Sequence, residues 1–173
     1  MDHPLRVWKL SAAWASKRHN CTVAGILSRC HAACCHGPTF WPGRVGNTEN
    51  NTRCQRLGDK GCTFPLKDKP ISCLLYPLRL NKSGTLILHQ RAVYAKGICK
   101  GNFGDGEGPL LIDALKDCLV ELFGLDQYKQ ARKDVLSGKD ARLVPSAELL
   151  HQYYREEARQ TANLPPQPRS HDC

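Results

Sequence analysis

Hydrophobic positions along the chain show two kinds of order, one helical and one strand-like, separated by a long stretch with neither. After Pro109, the residues Leu111, Leu115, Cys118 and Leu122 recur at helical spacing and Gly124 supplies a stop. This predicts a helix over 109–123 with Cys118 in the core. A second helix is predicted over about 127–136, ended by Gly138, and a third over about 146–160 that buries Leu149, Leu150 and Tyr153. Nearer the N-terminus, Val7, Leu10 and Trp14 predict a short helix over 5–16. A further helix is predicted with Thr22 as its cap, on which Val23, Ile26, Leu27, Cys30 and Cys34 share one face, until Gly37 and Pro38 end it.

The strand-like order begins after Pro70. There Ile71, Cys73 and Leu75 alternate with Ser72 and Leu74, followed by Leu78 and Leu80, a polar turn at 81–84 and an apolar run from Thr85 to Tyr94. The pattern predicts a β-hairpin, with Pro77 marking an edge or a bulge. Residues 39–69 have no sustained period and are rich in Gly, Pro, Asn and Thr, which predicts a long irregular loop. Together these elements give an α+β fold: a small helical domain with one β-hairpin and an irregular cysteine-rich metal-binding region. A single domain is expected over 1–163, with its cysteine cluster in 30–108 and its helical part in 109–163, followed by an extended proline-broken tail over 164–173.

Charge adds an asymmetry to this pattern. Of the 25 Lys and Arg and 16 Asp and Glu, residues 1–100 hold 16 basic and 4 acidic groups, leaving 9 and 12 for residues 101–173. A basic front of this kind suits nucleic acid or an acidic partner, and it equally compensates a cluster of anionic thiolates. No run approaches the ~20 apolar residues of a membrane span, and the N-terminal residues lack the features of a secretory signal. A cytoplasmic, reducing location is therefore expected, where cysteines serve as metal ligands more often than as structural disulfides.

The chemistry lies in the ten cysteines. Residues 54–76 hold three of them, Cys54, Cys62 and Cys73, in a stretch interrupted by Gly58, Gly61, Pro65 and Pro70. Regular hydrogen bonding is not expected to hold such a stretch, so a metal or a disulfide is. Cys35 at a predicted helix end, Cys62 and Cys73 beside the Lys69-Pro70 turn, and Cys99 past the hairpin come from separated segments and are expected to form the core ligand set. Cys34, Cys54 and Cys30 are expected as second-rank ligands, and the seven candidates together permit two centres. Cys21, Cys118 and Cys173 are expected to be free or buried thiols. Thiolate suits zinc and iron–sulfur clusters alike; long irregular spacing without short Cys-x2-Cys knuckles tilts the choice towards a [4Fe–4S] cluster, with zinc as the alternative. The glycine-rich run at 101–108 carries Asp105 and Glu107, which would repel phosphate, so its glycines are expected to serve tight turns instead.

The segments Cys54-Gln-Arg-Leu, Gly61-Cys62 and Lys69-Pro-Ile-Ser-Cys73-Leu-Leu-Tyr76-Pro77, with Cys99-Lys-Gly101 after them, resemble the YkgJ-type cysteine-cluster family, over residues 30–108. That family is described as a zinc- or iron-chelating domain. Ser28 and His31 stand where its opening motif carries cysteines, and Lys69 where it usually carries Arg. The resemblance implies metal ligation by the matching cysteines. No catalytic set is visible: the seven histidines are scattered, and Asp113, Asp117 and Glu121 recur at the spacing of a solvated helix face. The expected function is a metal-binding cysteine-cluster protein whose iron–sulfur centre stabilises a binding or assembly module for a larger complex. A redox or accessory enzyme component and a zinc-dependent nucleic-acid binder acting through residues 1–100 are the alternatives.

Overall fold

The computed structural model describes residues 7–19, 57–58, 61–88, 103–104 and 108–162. The helix expected over 5–16 is instead a strand followed by a single helical turn. In β1 (Trp8–Leu10) the two apolar side chains are fully buried and Lys9 between them is exposed, a period of two rather than of 3.6. Tertiary pairing decides the matter, because β1 occupies an interior position of a four-stranded sheet. Only α1 (Ala12–Ala15) keeps the helical part of the expectation. It is followed by the two-residue strand β2 (Arg18–His19).

The stretch expected to be irregular contains short regular pieces. β3 (Leu57–Gly58) and β4 (Gly61–Cys62) form a tight hairpin, and one 3-10 turn spans Leu66–Asp68. The alternation read after Pro70 proves helical at first: α2 (Ile71–Leu75) buries Ile71, Leu74 and Leu75, which are spaced i, i+3, i+4. Pro70 directly precedes it, where a fixed φ of −53° costs nothing and no N–H is needed. The Tyr76–Pro77 peptide is cis, and the chain then enters β5 (Leu78–Leu80).

The hairpin between β5 and β6 (Thr85–Leu88) forms as expected, in antiparallel register with Leu80 opposite Leu86. Its turn is built by Asn81, whose Oδ1 accepts the Ser83 and Thr85 N–H groups at 3.0 and 2.9 Å, while Gly84 supplies a positive φ of 75°. The hairpin is half of a larger sheet. β1 runs parallel to β6 on one side and antiparallel on the other to β8 (Ala141–Leu143), giving the order β5-β6-β1-β8. β8 was not expected, since three residues with one exposed Arg142 between buried Ala141 and Leu143 leave little pattern to read.

β7 (Phe103–Gly104) pairs with β2, and the helices follow. The helix expected over 109–123 is broken at Leu115 into α3 (Leu111–Ala114) and α4 (Lys116–Phe123). Its buried residues are Leu111, Ile112, Leu115, Leu119 and Phe123, so the core stripe follows expectation through Leu115 and then runs one position beyond it, with Leu119 and Phe123 in place of Cys118 and Leu122. Gly124, at φ 84°, is the whole connection to α5 (Leu125–Leu136), and Gly138, at φ 77°, ends the next turn. The last element is α6 (Ala147–Ala162), where Leu149 is buried and Leu150 and Tyr153 pack half-buried against the core.

One hydrophobic cluster unites these pieces. Trp8 lies near its centre, edge-on to Phe123 (ring centroids 5.7 Å apart) and to Tyr153 (5.2 Å), which joins the sheet to α4 and α6. The architecture of helices with a small mixed sheet is α+β. No helix among the described residues is long and apolar enough to cross a membrane.

Candidate metal centre

Two of the seven candidate ligands, Cys62 and Cys73, are described; Cys35, Cys99, Cys34, Cys54 and Cys30 lie outside the described residues, as do the expected helix after Thr22 and the tail. Cys62 is exposed on β4, opposite Leu57 in the small hairpin. Cys73 is half-buried in the middle of α2. Between them the 3-10 turn and the Lys69-Pro70 pair carry the chain from hairpin to helix, so the two thiols belong to one continuous strap.

The strap is held at its helical end. α2 packs on α4, α6 and β5, and the carboxylate of Glu156 on α6 accepts the N–H groups of Ile71 and Ser72 at 3.1 and 3.4 Å. The Cys73 and Leu74 N–H groups turn back to the Pro70 carbonyl, at 2.9 and 3.0 Å. An open cleft of about 230 Å³ lies beside the contact of α2 with α4 and α6, lined by Lys67 and Lys69 on the strap side and by Glu121 and Glu148 on the helices.

Cys118 is a free thiol, as expected, but not a core residue. It faces neither the core nor open solvent but is half-buried on α4, where burial pushes its thiol pKa up while the nearby Lys69 ammonium acts in the opposite direction. The helix that carries this third thiol packs against the 3-10 turn of the strap. Sequence reasoning placed it in the core because the stripe set by Leu111 and Leu115 shifts by one position in α4, to Leu119 and Phe123.

A second junction brackets the cysteine-bearing residues. β2 and β7 pair antiparallel, with His19 opposite Phe103, and β2 continues along the later chain: His19 N–H donates to Pro109 O at 2.8 Å and Leu111 N–H to Lys17 O at 2.8 Å. The chain therefore enters residues 20–102 and returns from them at one ribbon. His19 itself is buried, and burial lowers its pKa to about 4, so the imidazole is neutral at pH 7.

Nor is Asp113 a solvated helix residue as expected. Its carboxylate receives Arg132 Nε at 2.6 Å and Tyr128 Oη at 3.1 Å, and the Arg132 hydrogen bond holds it below the usual carboxylate range. The break at Leu115 puts Asp113 on α3, separate from Asp117 and Glu121 on α4, and the cluster ties α3 to α5.

In chemical type the donors suit a soft metal or an iron–sulfur cluster: both strap cysteines stay out of the core, and thiolate is the ligand such centres take. Among the described residues no three His, Cys, Asp or Glu side chains converge on one point, so a centre requires ligands from the other candidate positions. No protein-family model, characterised protein or solved structure matches the chain.

Proposed function

We propose that the chain is a metal-binding cysteine-cluster protein, with an iron–sulfur centre of the [4Fe–4S] type that stabilises a module docking on a larger protein assembly in the reducing cytoplasm. The observation that carries this reading is the placement of Cys62 and Cys73. Cysteine is among the residue types most often fully buried, and a cysteine kept for packing alone belongs in the core. Neither strap thiol joins the hydrophobic cluster, although Ile71, Leu74 and Leu75 around Cys73 do so or are buried beside it. The strap spends its apolar side chains on docking and leaves its thiols outside.

The paired strands β2 and β7 support the same reading from the other end. Cys99 lies four residues before Phe103 and Cys30 eleven residues after His19, and those two strand residues are paired, so segments distant in sequence depart from a common point. A centre joining them to the strap would add folding free energy, as structural metal sites do.

Paired variants test the ligand assignment. Cys73→Ser is expected to lose most of its bound metal, whereas Cys118→Ser keeps it; equal metal content in the two purified proteins contradicts the assignment. Absorbance near 400 nm that bleaches on oxidation marks an iron–sulfur centre, and a colourless protein with zinc selects the alternative metal.

A further inference from the structure

A helix of five residues cannot hold itself in place, because helix nucleation is unfavourable and only tertiary contacts offset it. α2 is such a helix, and it presents Cys73. The residue before it, Pro70, has no side-chain acceptor, so the Ile71 and Ser72 N–H groups have no local cap. Glu156 meets both, from 85 and 84 positions further along the chain, one carboxylate oxygen to each. Gln152, one turn earlier on α6, donates its Nε2 to Glu156 Oε1 at 3.2 Å and steadies the carboxylate. The following N–H belongs to Cys73. Hydrogen bonds to a charged acceptor are the stronger kind, and two oxygens on adjacent N–H groups fix orientation as well as position.

We infer that Glu156 is a positioning residue for Cys73: its grip on the first turn of α2 sets the direction and exposure of the Cys73 thiol and couples the strap to the docking of α6. This rests on the reading of Cys73 as a metal ligand for its importance, but the positioning can be measured without that reading. Glu156→Gln keeps one acceptor oxygen and turns an amide donor towards the remaining N–H; Glu156→Ala removes both acceptors.

The test compares the full-length protein with both variants, before and after treatment with a chelator, by iodoacetamide alkylation resolved thiol by thiol with peptide mass spectrometry, alongside metal analysis. In chelated samples, Cys73 alkylation relative to Cys118 is expected to rise about fivefold or more in Glu156→Ala, and by less in Glu156→Gln. An unchanged Cys73-to-Cys118 ratio overturns the inference. So does a parallel rise at Cys62, Cys73 and Cys118 in both variants, which is what general loosening produces. Metal content before chelation reports separately: reduced occupancy in the variants supports the link to the centre, while a wild-type protein without metal refutes the metal reading and leaves the alkylation ratio to decide the positioning.

Discussion

Asp140 Oδ1 accepts the backbone N–H of Ala12 at 2.9 Å, across 128 positions of sequence. Ser11, the residue placed to cap α1 locally, makes no side-chain cap bond, so the short helix takes its cap from the chain just before β8. α2 is capped at long range in the same manner by Glu156. Asp140→Ala is expected to lower unfolding free energy by about 1 kcal/mol, within the ~0.5–2 kcal/mol range of lost N-caps. Asp140→Asn, which retains an acceptor, should cost less. Urea denaturation of the two variants checks the order; equal losses would show that the acceptor is not what matters.

Gln127 plays a comparable part at the end of the sheet. Its Oε1 accepts Val144 N–H at 2.7 Å and its Nε2 donates to Val144 O at 3.0 Å, so the amide takes the place of a neighbouring strand just beyond β8. Gln127→Ala is expected to cost about 1 kcal/mol, the usual net value of such hydrogen bonds. Faster amide hydrogen exchange at Val144, without a similar change at Leu143, is the specific sign; unchanged exchange would count against the role.

His19 gives the fold a pH dependence. Its pKa falls from 6.5 to about 4 on burial, so between those values the unfolded chain binds a proton that the folded chain refuses. The stabilisation is complete above about pH 6.5 and is lost as pH falls through 4, amounting to about 3 kcal/mol at most when the shift is converted at 1.36 kcal/mol per pH unit. Comparing urea midpoints at pH 7 and pH 4.5 for the wild type and His19→Gln isolates it. A wild-type loss no larger than that of the variant would contradict the assignment.

How much of this the sequence shows depends on how many turns of pattern each element carries. α5 and α6 are long and periodic, and Gly124 and Gly138 punctuate them, so they are legible. So is the β5–β6 hairpin, through Asn81 and Gly84. The three-residue strands β1 and β8 are not, because Val7, Leu10 and Trp14 fit a helix as well as Trp8 and Leu10 fit a strand, until pairing with β6 and β8 chooses between them. α2 is hidden for a similar reason: Leu74 is buried along with Ile71 and Leu75, and only the three-dimensional neighbours reveal which spacing counts.

Of the candidate site, the sequence itself shows Cys62 and Cys73 on one run of chain. The long-range features could not be read. Nothing local to Pro70 points to Glu156, and nothing local to Cys118 announces Lys69, since both relations depend on how α6 and α4 pack.

The central claim, that the thiols serve a metal centre, is tested most directly by metal and acid-labile sulfide analysis of the full-length protein purified without oxygen. About four iron and four sulfide per chain is the result expected for one [4Fe–4S] centre. Preparations that are folded yet contain neither iron, sulfide nor zinc would contradict the account.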